Sequence, residues 1–227
     1  MNKVTVFLPC REGSQRVKNK NIKPFSDVEG GLTYIKLSQL LKVEQIEQIV
    51  VSTNDIEVKR IAESFNNPKI IIDDRPEELA SSATSTDDLI SYVPDIINSG
   101  TVLWTHVTSP FVDEIVYQKA IEIYFSNSNT YDSLISVTKL QKFLWDENEP
   151  INYDKNVEKW PRTQTIKPVY EVNSGIFIAD IDIYKKFNDR IGGKPFLYKL
   201  DEKIAFDIDW EIDFEIAEIL WSKHEKI

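Results

Sequence analysis

The sequence predicts an α/β protein, a three-layer sandwich with a mostly parallel central sheet. Two observations carry that expectation. Short apolar, β-branched runs alternate along the chain with segments whose apolar residues recur every three or four positions, the rhythm that feeds parallel strands through helical crossovers. The first such run also stops in a basic, glycine-containing loop, and open α/β sheets bind ligands beyond the carboxyl ends of their strands. With 227 residues, 41% of them apolar, the chain suits one domain, 1–227, with a single excursion.

Val4 to Leu8 reads as the first buried strand, and Leu32 to Val43 as a helix with Ile35, Leu37, Leu40 and Leu41 on its apolar face. Ile46 to Ser52 is the second strand. Asn54 is expected to open the next helix, with Val58, Ile61, Ala62 and Phe65 inward and Glu57 completing a capping box. Lys69 to Ile72 is a short strand. Ser85-Thr86-Asp87-Asp88 opens a helix that buries Leu89, Val93, Ile96 and Ile97, and that Pro94 must kink or shorten. Thr101 to His106, Val112 to Phe125 and Tyr131 to Thr138 continue as strand, helix and strand. From Leu140 to Tyr170 the periodicity fails, apart from a hairpin signal around Glu147 to Pro150, so this stretch of about 140–170 is expected to leave the sheet as a lid or a dimer arm. Tyr170 to Ala179 returns as a strand, Ile181 to Phe187 as a helix, Gly192-Gly193 as a turn and Phe196 to Leu200 as a strand, before the final helix from Trp210 to Trp221.

The net charge of −10 argues against a broad nucleic-acid footprint, because phosphate backbones select basic faces. Positive charge is instead concentrated early, with Arg11, Arg16, Lys18, Lys20 and Lys23 inside thirteen residues, which suits a small anionic ligand. The single cysteine, Cys10, excludes a disulfide framework and a cysteine-rich zinc site. No apolar run is long enough to span a bilayer, and Met1-Asn2-Lys3 leads directly into a strand; the expectation is a cytoplasmic enzyme that uses no membrane.

In the first loop, Gly13 permits close backbone approach to a phosphate while Arg11, Arg16, Lys18 and Lys20 offer charge-assisted donors. The loop matches neither the P-loop nor the dinucleotide fingerprint, and composition alone leaves a merely solvated basic loop open. Near the other end, Asp207 and Asp209 lie two apart in an extended segment and therefore point the same way, able to share one hard cation such as Mg²⁺. Capping of the last helix would account for Asp209 and leave Asp207 idle.

The run Pro9-Cys10-Arg11-Glu12-Gly13-Ser14-Gln15-Arg16-Val17-Lys18-Asn19-Lys20-Asn21 resembles the opening motif of the cytidylyltransferases that activate acidic sugars: the CMP-sialic acid synthetase family and its pseudaminic, legionaminic and 3-deoxy-manno-octulosonic acid relatives. The resemblance implies a nucleotide-diphospho-sugar transferase-like fold. It also implies CTP held at Arg11, Gly13, Ser14, Gln15, Lys20 and Asn21, with Gln15 standing where the family usually has lysine and Arg16 or Lys18 available to replace that charge. Arg75-Pro76-Glu77-Glu78-Leu79-Ala80 is similar to the segment lining the family's cytosine pocket, and Ser85 and Thr86 follow near its base-contacting hydroxyl. Thr108-Ser109-Pro110 retains the substrate turn, with His106 in place of glutamine and Val112 in place of arginine; Asn173 matches a residue near the substrate, and Glu171 lies about where an arginine meets the sugar carboxylate. Asp207-Ile208-Asp209 resembles the metal motif.

What the resemblance implies is transfer of CMP from CTP to an acidic sugar of the nonulosonic acid type, with release of pyrophosphate. Arg11, Lys20, Asp207 and Asp209 carry the catalytic roles, Mg²⁺ is the cofactor, and the excursion joins a homodimer. Glu171 and His106 leave open a different acceptor, such as a phosphonate or another sugar acid. Two further possibilities stay open: a glycosyltransferase using Asp207-Ile208-Asp209 as a D-x-D motif, and a non-catalytic nucleotide-binding relative.

Overall fold

A computed structural model describes residues 2–81 and 83–224. Seven strands, β1 (Val4–Pro9), β2 (Ile46–Thr53), β3 (Ile70–Asp74), β4 (Thr101–Trp104), β5 (Ser133–Leu140), β6 (Val169–Asp180) and β7 (Pro195–Leu200), form one sheet in the order β3-β2-β1-β4-β6-β5-β7. The helices are α1 (Gly31–Leu41), α2 (Ile56–Ser64), α3 (Thr86–Ile96), α4 (Glu114–Ser126), α5 (Ile181–Phe187) and α6 (Glu211–His224). Pairs β1–β2, β1–β4, β2–β3 and β5–β7 are parallel, as expected; β6 runs antiparallel to both β4 and β5. The reversal has a simple cause. No helix separates β5 from β6, so the chain re-enters from the edge it left, as a hairpin does, whereas parallel neighbours need a crossover.

Helices cover both faces and give the three layers. On one side Leu32, Leu37 and Leu40 of α1, Val58 of α2, Tyr117 and Ala120 of α4 and Phe214 of α6 pack on Val6, Leu8 and Val51. On the other, Ile90 and Val93 of α3 and Tyr184 of α5 pack on Phe7, Trp104 and Phe177. Complete burial of such side chains stabilises by about 1.5–3 kcal/mol each.

Local signals are kept or displaced for identifiable reasons. Helix α2 is capped by Asp55, whose carboxylate accepts from Glu57 N and Val58 N, and not by Asn54. The Asn54 amide is occupied elsewhere, accepting Glu12 N from the first loop at 2.9 Å. Ser85 caps α3 in a full capping box with Asp88, and the helix stops two residues after Pro94. The hairpin expected near Glu147 forms as a Trp145–Pro150 bridge. Asn152, 4% exposed, ties the excursion together: its amide donates to Lys142 O and Lys167 O and accepts from Leu144 N. Phe143 packs edge-on against Tyr153 and Trp160, yet Trp145 and Trp160 remain 50% and 74% exposed.

Candidate active site

The basic loop leaves β1 at the carboxyl edge of the sheet and is anchored from inside. Val17 is fully buried, and Cys10 N donates to Ser52 O. Asn21 closes the loop by donating Nδ2–H to Arg11 O at 3.1 Å, while its own carbonyl accepts Thr33 N and Oγ1. Gly13 has φ +78° with nothing within 4 Å of where a Cβ would sit, so glycine serves the left-handed backbone conformation there. These ties use backbone and amide groups and leave the cationic side chains for other partners.

For Arg16 and Lys20 that partner is Asp209, and for Lys23 it is Glu211. Lys20 Nζ donates to Ile208 O at 2.6 Å and lies 3.8 Å from Asp209 Oδ1; Arg16 Nη1 is 3.0 Å from the same oxygen. Burial pushes the Lys20 pKa down, against the pull of Asp209 and Asp207. Ile208 is buried in the core, and the aspartates on either side of it, Asp207 and Asp209, both line one cavity. Ile208 N donates to Thr108 O and Ser109 Oγ donates to Asp207 Oδ1 at 3.4 Å, which fastens the segment to the Thr108-Ser109 turn. Burial raises the Asp207 pKa, and Asp209 adds to the rise; bonds from Thr108 and Ser109 and the charge of Lys20 oppose it. Asp213, in the first turn of α6, accepts from Asp209 N and Trp210 N and so ties the aspartate segment to the helix.

Two cavities flank this junction. One, about 430 Å³, is lined by Arg11, Ser14, Gln15, Arg16, Lys20 and Asn21 of the loop with His106 and Thr108 opposite. The other, about 480 Å³, is lined by Thr138, Lys142, Glu171, Asn173 and Glu202 together with Asp207 and Asp209. Both have the size of a small-molecule site. They meet where Lys20 reaches Asp209 and where the Thr108 turn holds Asp207. Among the described residues no group of three or more His, Cys, Asp or Glu side chains is assembled as a metal cage. Two carboxylates are nevertheless what Mg²⁺ takes from a protein when phosphates and waters complete its shell, and the hard oxygens of Asp207 and Asp209 fit it.

Other expected residues have different surroundings. Arg75 is buried, and its Nε and Nη2 donate to Ser52 Oγ and Ser52 O at the end of β2; the fork is turned inward and lines neither cavity. Ser85 is spent on its cap, and Thr86 beside it is exposed on α3, away from both cavities. His106 Nε2 accepts from Trp104 Nε1 at 2.9 Å, which leaves the proton on Nδ1; burial and the nearby Arg190, Lys20 and Arg75 charges push its pKa down to about 3, so the ring is a neutral donor. Asn173 is held by Ser136 Oγ and by its own donation to Thr138 Oγ1. Gln15 lines the first cavity, with Arg16 beside it reaching Asp209, whereas Lys18 is exposed and lines neither. Sequence reasoning missed Lys36 and Gln39, buried in α1 directly beneath the Ser109 turn. The available signal was their place among Leu32, Ile35, Leu37 and Leu40 on a helix apolar around most of its circumference.

A mostly parallel α/β sheet that sets a cationic loop against paired aspartates at its carboxyl edge defines a nucleotide-binding protein of the nucleotidyltransferase kind. More particularly, the chain belongs to the cytidylyltransferase family, whose model matches residues 5–226. It is 27% identical to the N-acylneuraminate cytidylyltransferase of Escherichia coli O18:K1:H7, covering 99% of this chain and 53% of that protein. Identity is 25% to the post-translational flagellin modification protein B of Campylobacter coli (97% and 95% covered) and 27% to the CMP-N,N'-diacetyllegionaminic acid synthase of Campylobacter jejuni (98% and 96%). The chain thus spans about half the length of the Escherichia coli relative and nearly all of the two Campylobacter proteins. In fold it is similar to a CMP:2-keto-3-deoxy-manno-octonic acid synthetase complexed with CTP, with TM-score 0.68, 13% identity, and 98% and 100% of the two chains covered.

Proposed function

We propose that this protein transfers CMP from CTP to an acidic sugar of the nonulosonic acid type, releasing pyrophosphate. The observation that carries the reading is the meeting of Lys20 and Arg16 with Asp209 across one cleft, with a cavity on either side. CTP occupies the loop cavity, where Arg11, Lys20 and Arg16 donate to its phosphates and Ser14, Gln15 and Asn21 complete the wall. The acceptor occupies the second cavity, beside Asn173 and Glu171. An acceptor hydroxyl oxygen attacks the α-phosphorus in line and gives up its proton to water, the bond to the β-phosphate oxygen breaks, and pyrophosphate leaves. Asp207 and Asp209, which line the acceptor cavity and face Lys20, would hold Mg²⁺. A divalent cation there supplies Lewis acidity to the phosphates and lowers the acceptor's pKa. Arg75 supports the nucleotide end indirectly, by fixing the end of β2 beneath the loop. His106 offers Nδ1–H to a substrate oxygen and cannot act as a base through Nε2, which Trp104 occupies.

Pyrophosphate release from CTP and Mg²⁺ with a panel of nine-carbon acids tests the reading. Release with such an acid supports it; consumption of a sugar nucleotide instead of CTP overturns it. One observation favours a second reading of the acceptor alone. The acceptor cavity carries Glu171 and Glu202 against a single lysine, Lys142, already paired with Glu202 at 3.0 Å, and would repel a carboxylate placed near Glu171. Release only with another sugar acid or a phosphonate, whose acid group would then have to lie away from Glu171, would select that reading.

The same proposal includes a homodimer joined through the excursion, supported by the exposure of Trp145, Ile151, Val157 and Trp160 on one segment. Light scattering should give twice the chain mass, and Trp160→Asp should halve it; an unaltered monomer in both cases contradicts the dimer. A cytoplasmic setting is supported by the single, buried, unpaired Cys10. No helix among the described residues is long and apolar enough to cross a membrane.

A further inference from the structure

Lys36 is an ammonium-bearing side chain with no exposed surface, in the middle of α1. A buried lysine is tolerated only where its donors are met. Here Nζ donates to Ser109 O at 2.9 Å and to Val112 O at 2.8 Å, and the face of the Tyr117 ring lies 4.9 Å away. One turn later on the same helix, Gln39 Nε2 donates to Pro110 O at 2.7 Å. Together they grip three carbonyls of the segment 109–112, itself closed by Val112 N donating to Ser109 O. The other side of that turn holds the aspartate segment, through Thr108 O accepting Ile208 N and through Ser109 Oγ donating to Asp207 Oδ1. A continuous path of hydrogen bonds therefore runs from the core lysine to the carboxylate at the junction of the two cavities. Burial pushes the Lys36 pKa down to about 7, with Asp113 and Asp207 opposing; protonated or neutral, the amine retains the two N–H groups its carbonyls require.

We propose that Lys36 is a positioning residue for metal binding: it fixes the Ser109 turn from beneath and, through Ser109, the orientation of the Asp207 carboxylate. The inference rests on the reading that Asp207 holds the metal. Gln39 grips the same turn one residue further from the aspartate link, so its contribution to Asp207 is smaller.

The test uses the full chain with CTP and no acceptor, titrated with Mn²⁺ and followed by water-proton relaxation, alongside thermal unfolding. Lys36→Met is expected to unfold cooperatively and to weaken Mn²⁺ binding about tenfold, the usual effect of removing a partner behind a metal ligand. Gln39→Met is expected to change Mn²⁺ binding less than about twofold. The sign is diagnostic. Loss of a nearby positive charge would by itself tighten a cation site, so weakening reports lost geometry. Unchanged or tighter binding by folded Lys36→Met overturns the proposal, as does equal weakening in Gln39→Met. Should Lys36→Met not fold, Ser109→Ala carries the test, since it cuts the link to Asp207 with little change in volume: weaker binding supports the path and unchanged binding overturns it. Asp207→Asn separates the two levels. If it binds Mn²⁺ as wild type does, the metal assignment fails; if it loses binding while Lys36→Met keeps it, only the role of Lys36 fails.

Discussion

Replacement of Asp209 by asparagine separates function from stability more cleanly than any other single change in the cleft. The Arg16–Asp209 pair is 3.0 Å long, but its side chains are 50% and 48% exposed. An ion pair that open contributes about 0–1 kcal/mol to folding, because water screens it and two long side chains must be held still. For a chain of this size 1 kcal/mol moves the melting temperature by about 2–4 °C. Asparagine keeps the shape, so Asp209→Asn should melt within about 4 °C of wild type. Its effect on catalysis should be far larger, since it removes one of the two carboxylates that the proposed reaction sets beside the triphosphate. A loss of about 100-fold or more in kcat/KM, equivalent to about 2.7 kcal/mol, is expected. Coupled pyrophosphate detection and differential scanning calorimetry on the same preparation read both. Activity within threefold of wild type would refute the placement of Asp209 at the reacting phosphates. So would a loss of activity matched by an equal loss of folded protein.

Two further outcomes follow from buried polar groups. Asn152→Ala strands Leu144 N and the carbonyls of Lys142 and Lys167, costing about 3 kcal/mol, so trypsin should cut the excursion at Lys155, Lys159 and Arg162 faster and the melting temperature should fall; no change in either removes Asn152 as the clasp. His106 has its folded pKa depressed from 6.5 to about 3, so between those values the unfolded chain takes up a proton the folded chain refuses, and stability falls as pH falls. His106→Gln lacks that contribution, and its urea midpoint should drop less than wild type's between about pH 7.5 and about pH 5; equal drops would mean that His106 is not held neutral.

How far the sequence can be read depends on where each residue's partners lie. The β1 loop is legible because the order of residues in it carries the information, and its ties to Asn21 and Asn54 are short-range or made to the neighbouring strand. The meeting of Lys20 with Asp209 spans most of the chain and is invisible to periodicity; it is reachable only through the chemistry of the two segments taken together. The direction of β6 is not legible, because an irregular excursion does not announce whether the chain crosses over or turns back. The resemblance puts Ser85 and Arg75 at a base pocket, yet local bonds to Asp88 and Ser52 claim the Ser85 hydroxyl and two nitrogens of the Arg75 guanidinium. Lys36 escapes notice since lysine in a helix is normally solvated, and only the third dimension reveals the carbonyls that justify its burial.

The position of the triphosphate decides whether the cationic loop and the aspartate pair act on one substrate, and a crystal structure with CTP and Mg²⁺ addresses that directly. It should place the β- and γ-phosphates against Arg11, Arg16 and Lys20, the cation on Asp207 and Asp209, and the α-phosphorus at the boundary with the cavity lined by Asn173. A nucleotide bound elsewhere, or a triphosphate whose cation touches neither aspartate, would contradict it.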